Sequence, residues 1–150
     1  MKLLDYATNV VVTGSVLTAT TTAAIAVASK RETGSMFAAL NQIMHIVDGD
    51  EIDHGSAFSP RNTLFGVAVS ASAMFGWAAI HEALRGCCKA TNPIAAAVAT
   101  TTLAAVIDYA VVPPRYTPGI EKVLSKGAVV AIYGVMCASL ALLGGRNKNS

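Results

Sequence analysis

Four stretches of this chain, about 7–29, 60–85, 93–112 and 118–143, are almost free of charge. Each is as long as the roughly 20 residues that a bilayer crossing requires. No other feature limits the fold as much, and composition agrees with it. Of 150 residues, 53% are hydrophobic and 13% charged, about half the charged shell of roughly a quarter that a soluble domain carries. Mean hydropathy is +0.53. The expected fold is an all-α integral membrane protein, a single domain built as a four-helix transmembrane bundle.

The edges of these stretches carry local signals. The first closes with Lys30-Arg31 and holds Thr13, Thr18, Thr20, Thr21 and Thr22, whose hydroxyls can bond back to helix carbonyls. A secretory signal peptide is the alternative for this segment, since Lys2 precedes an apolar run and Ala26-Val27-Ala28 resembles a cleavage site. Asp5 in the leading segment, and an uncharged run longer than the usual roughly 7–15 residues, favour an uncleaved crossing. Ser59-Pro60, Asn92-Pro93 and Thr117-Pro118 each place a capping side chain before a proline, the order that opens a helix. Pro113-Pro114 and Gly144-Gly145 end the third and fourth stretches. Short connections make the last three helices antiparallel neighbours. Small residues four apart, at Gly14/Thr18/Thr22, Ala68/Ser72/Gly76, Ala95/Ala99 and Gly134/Ala138, offer close helix approach in lipid.

Residues 33–58 are too charged to cross. Between 35 and 48, Met36, Phe37, Leu40, Ile43, Met44 and Val47 fall on one helical face, with Asn41, Gln42, His45 and Asp48 opposite. The pattern predicts an additional interfacial amphipathic helix, lying on the membrane or tucked against the bundle, followed by an acidic loop at 48–58. The positive charges nearly balance. Lys2, Arg85, Lys89, Arg146 and Lys148 stand on one side, and Lys30, Arg31, Arg61, Arg115, Lys122 and Lys126 on the other. The vicinal Cys87-Cys88, suited to a reducing face, and the basic tail tip the reading toward cytoplasmic termini in a bacterial plasma membrane.

An even number of crossings brings residues 33–58 and the turn at 113–117 to one face. A candidate polar cluster of Asn41, His45, Asp48, His54, Asp108 and Arg115 gathers there, while His81 and Glu82 lie toward the other face. Asp108 is an ionisable residue near hydrocarbon, a functional hypothesis by default, with Arg115 as its expected partner. The plainer reading is an ion pair that pins the end of the third helix. His45, Asp48 and His54 could ligate zinc, iron or manganese, yet they sit in no diagnostic metal motif, and the acidic loop lacks the calcium-loop pattern. A solvated loop beside a helix histidine is the plainer reading there. There is no nucleophile elbow, phosphate-cradling loop or haem attachment motif, and no basic stripe for nucleic acid.

Three functions remain open. The first is a non-enzymatic protein acting as an oligomer or as an accessory subunit of a membrane complex, its partners being the bilayer, itself or other membrane subunits, with no cofactor. The second is a transporter or channel component whose proton or cation path uses Asp108 and His45. The third is a metal- or haem-binding redox component or enzyme using His45, Asp48 and His54.

Overall fold

The computed structural model describes residues 3–87 and 92–146. The described residues are helical, without a strand: α1 (Leu3–Thr33), α2 (Ala38–Gln42), α3 (His45–Asp48), α4 (Pro60–Cys87), α5 (Pro93–Val106) and α6 (Lys126–Arg146). Four helical segments are long and apolar enough to span a membrane: Leu3–Thr33, Pro60–Gly86, Pro93–Val111 and Lys126–Gly144. Cys88, Lys2, Lys89 and Lys148, which enter the orientation argument, lie outside the described residues, as do the side chains of Cys87 and Arg146.

Two helix starts follow from local capping. At α4, the Asn62 amide donates to Ser59 Oγ at 3.2 Å. At α5, the Ile94 amide donates to Asn92 Oδ1 at 3.0 Å, with Pro93 at the first helical position. Thr117-Pro118 does not open a helix, so the fourth long helix begins at Lys126 rather than at 118. Gly119 follows at φ +78°, a left-handed conformation that interrupts helical propagation, and the chain makes only a single 3₁₀ turn over Ile120–Lys122. The working cap is Ser125, whose Oγ accepts from the Ala128 amide at 3.2 Å. Glu32, at the end of α1, accepts from both the Ser125 amide and hydroxyl at 2.6 Å, fixing where α6 starts.

The long helices form a ring, α1 beside α4 and α6, and α5 beside α6 and α4. Side-chain hydrogen bonds join each neighbouring pair. Thr13 Oγ1 donates to Glu82 Oε1 at 3.0 Å across α1–α4. His81 Nδ1 lies 3.0 Å from Thr100 Oγ1 across α4–α5. Tyr133 donates to Asp108 at 2.6 Å between α6 and the end of the third span, and Ser139 to Thr20 at 3.1 Å across α6–α1. The start of α1, the end of α4, the start of α5 and the end of α6 therefore share one end of the bundle: Arg85 also donates to the Gly144 carbonyl.

The other end is closed by a cap, residues 34–58 together with 113–125. The continuous amphipathic helix expected over 35–48 is instead two short helices, α2 and α3, separated by a tight turn in which Met44 N bonds to Asn41 O at 3.0 Å. Its two faces are not apolar-in and polar-out. Leu40, Ile43 and Met44 are buried, and so are Asn41 and His45, while Met36 and Val47 are exposed. Both faces are covered because α2 lies on α4 while the loop at 49–59 folds back over the polar side.

Gly66 permits that docking: a Cβ there would stand 2.1 Å from the Leu40 carbonyl oxygen. Gly76, on the same helix, has nothing within 4 Å of the equivalent point. Gly66→Ala is expected to destabilise the protein by about 1–3 kcal/mol through overpacking, whereas Gly76→Ala leaves stability unchanged or slightly raised. Thermal unfolding of the two variants side by side in detergent checks this. Equal midpoints would show that α2 does not rest on Gly66.

Candidate functional site

Asn41 organises the cap. It is fully buried, donates from Nδ2 to the carbonyls of Gly55 at 3.0 Å and Ala57 at 2.8 Å, and accepts from Thr63 Oγ1 at 2.6 Å. One amide side chain thus ties the returning loop to α2 and α4, using both donors and its acceptor. Asn62 adds a bond to the His54 carbonyl at 3.2 Å. At the loop's tip Asp50 pairs with Lys122, and that hydrogen bond holds the Asp50 carboxyl below its ordinary value.

The histidines of the cap, His45 and His54, are buried. His45 Nδ1 lies 2.9 Å from the Gln42 carbonyl, which assigns it the proton, and Nε2 has no partner. The ring packs on Gly119, where a Cβ would approach it to 2.5 Å. His54 is buried with neither ring nitrogen hydrogen-bonded; Asp48 stands 3.9 Å away and instead pairs with Arg61 at 2.9 Å. His45, Asp48 and His54 therefore do not converge as the expected metal set, and among the described residues no three His, Cys, Asp or Glu side chains are grouped to hold a metal ion. Arg115 lies at the cap's surface, 3.5 Å from the Val47 carbonyl.

Asp108 belongs to a different place. The expected pairing with Arg115 does not form; Asp108 Oδ2 accepts from the hydroxyl of Tyr133. The reason is backbone geometry. Before Pro113, Val112 is extended (φ −71°, ψ 131°), as residues preceding proline are. The last turn of the third span widens into a π turn, Ile107–Val111, closed by Val112 N to Ile107 O at 2.9 Å. Such turns redirect side chains and recur at functional sites. Here Asp108 faces inward, onto a cavity of about 150 Å³ under the cap. All four long helices contribute to its wall, through Ile25, Trp77, Asp108 and Tyr133, and the cap closes it with Ile43 and Tyr116. His45 is not part of that wall. Tyr109 and Tyr133 stack edge to face with centroids 6.1 Å apart.

A second buried polar group lies past the cavity floor. His81 and Glu82 are 0% and 2% exposed, so Glu82 is not on a helix surface: it accepts from Thr13 and pairs with Arg85 at 3.5 Å. His81 Nε2 and the Thr101 hydroxyl are buried without partners. The floor residues Trp77 and Ala104 stand one helical turn from His81 and Thr100 respectively. Sequence reasoning missed Tyr133 and Thr63. The available signals were a lone tyrosine in an otherwise apolar helix and a threonine one turn past the Ser59-Pro60 start.

Comparison of the chain with protein-family models, with curated proteins and with solved structures gives no match.

Asn41→Ala is expected to leave the Gly55 and Ala57 carbonyls without their donor and to cost about 1–3 kcal/mol. The loss falls on the loop first, so amide exchange at 50–58 should quicken while exchange in α4 and α6 stays slow. A uniform change across the chain would mean that Asn41 supports the bundle rather than the cap.

Proposed function

We propose that this chain is an integral membrane protein and a transport component, with a proton or cation path running through its own bundle. The observation that carries the reading is Asp108, a carboxyl group on the wall of a partly open cavity among the four long helices. An ionisable side chain there is expensive, and residues of this kind mark ion and proton pathways. Two further observations support it. The His81–Glu82–Thr13 group continues the line of titratable side chains toward the other end of the bundle. Thr100, bonded to His81, and Asp108 are eight residues apart on the third span, about 12 Å of helix, and the cavity covers part of that interval with room for several waters. Protons then pass by carboxyl protonation at Asp108, relay through cavity water, and exchange at the His81 imidazole.

Reconstituted into liposomes carrying an internal pH dye, the wild-type chain should acidify or alkalinise the lumen when a potassium diffusion potential is imposed. Asp108→Asn keeps an acceptor for Tyr133 but cannot exchange protons, and its flux should fall to that of protein-free vesicles. Wild-type flux in a folded Asp108→Asn protein would remove Asp108 from the path and the reading with it.

The docking role that sequence alone puts first keeps one supporting observation. The small residues Ala68, Ser72 and Gly76 of α4, Ala95 and Ala99 of α5, and Gly134 and Ala138 of α6 are exposed on the outside of the bundle, where close approach of a neighbouring helix is favoured in lipid. On this reading the wild type forms dimers in detergent, measured by light scattering, and Gly76→Ile shifts it to monomer. A monomeric wild type excludes self-association as the role of these faces.

A further inference from the structure

We infer that the cavity under the cap is a binding site for a compact organic ammonium ion, one with an apolar body about the size of a benzene ring. The inference rests on the cavity being the working site of the transport reading, and it names the class of cation that fits.

Size sets the first limit. At about 150 Å³ the space matches apolar protein cavities that admit benzene, and it is too small for a haem. Charge sets the second. Asp108 contributes the one carboxyl group of the lining, and no lysine, arginine or histidine joins it, so an anion would meet repulsion with nothing to offset it. Among the described residues Oδ2 is engaged by Tyr133, while Oδ1 has no hydrogen bond, leaving one oxygen to accept from a bound N–H. Surroundings set the third. A bare metal cation favours several carboxylate or carbonyl oxygens, whereas Asp108 is the one carboxylate here and the other oxygens of the lining are the neutral hydroxyls of Thr21, Ser70, Tyr116 and Tyr133. Trp77, Tyr116 and Tyr133 also line the space, and aromatic faces attract an ammonium group most strongly when it is desolvated. A carboxyl, three aromatic rings and a mostly apolar remainder that includes the Thr21 and Ser70 hydroxyls together suit a cation that carries its own hydrocarbon. Binding exchanges one positive charge for another: the ammonium pairs with the Asp108 carboxylate, and any proton held there leaves as hydronium.

Trp77 is the chain's single tryptophan and lines the cavity, so its fluorescence reports occupancy in the detergent-purified full chain. The probes are benzylammonium, toluene and benzoate, alike in shape and differing in charge. Saturable change with benzylammonium is expected, with affinity at least about tenfold above that for toluene and no saturation by benzoate. Asp108→Asn should bring benzylammonium down to the toluene value without altering toluene. Equal affinities for benzylammonium and toluene in the wild type, or benzoate binding as well as either, would overturn the inference without any variant. So would absence of saturation with benzylammonium. Proton flux measured on the same preparation separates the two levels: flux without benzylammonium binding defeats the ligand class alone, whereas binding without flux defeats the transport reading and leaves the site.

Discussion

In lipid the hydrophobic effect does not draw helices together, because acyl chains are as apolar as leucine; close packing and interhelical hydrogen bonds must do it instead. Interhelical hydrogen bonds of this kind join each neighbouring pair in the ring of the bundle. Thr13 reaches Glu82, His81 reaches Thr100, Asp108 accepts from Tyr133, and Ser139 donates to Thr20. These joints use different residues at different depths, so together they fix register as well as neighbours. An axial slip of α5 by one turn would break its contacts to α4 and α6 at once. The two hydrophobic clusters, one around Ile25, Ile43 and Ile132 and the other around Leu17, Trp77 and Met136, fill the space that the joints define.

The cap follows from the same logic applied to segments too polar for the interior. Residues 34–58 and 113–125 lie outside the long helices, and their polar groups are held by bonds among themselves and to the ends of α1 and α4. Asn41 takes two loop carbonyls, Ser35 reaches the Ser56 carbonyl, and Glu32 holds Ser125. Closing the mouth leaves room beneath, because Ile43 and Ile46 descend from the cap while Ala73 and Ala104 recede from it. The cavity is thus the residue of fitting a tight cap onto a ring of small side chains.

How much of this was legible in the sequence divides along locality. The starts of α4 and α5 coincide with Ser59-Pro60 and Asn92-Pro93 because a cap is set by residues within one turn. Thr117-Pro118 carries the same signature and fails, since Gly119 takes φ +78° and the true cap at Ser125 is held by Glu32, 93 residues earlier. The helical wheel put Asn41 and His45 on the polar face of one helix, yet said nothing of what buries them, the returning loop over Asn41 and Gly119 against His45. Asp108 stood out as an ionisable residue near an apolar segment. Its partner did not, because Tyr133 meets it only through the register of α6 against the third span, whereas Arg115 is merely close in sequence.

The chemistry of the joints is the strongest internal reason to assign Asp108 more than a structural part. Ser139 and Thr20 join two helices with neutral hydroxyls, and Asn41 satisfies three partners with an amide. The fold thus makes some of its buried polar contacts without ionisable groups, whereas Thr13–Glu82 and His81–Thr100 use them on the line that leads to Asp108. A carboxyl set against an apolar span is costly, and an asparagine at 108 could accept the same bond from Tyr133. What the carboxyl adds is a proton that can leave and a charge that can return, on the wall of a cavity, in a turn whose geometry aims it there.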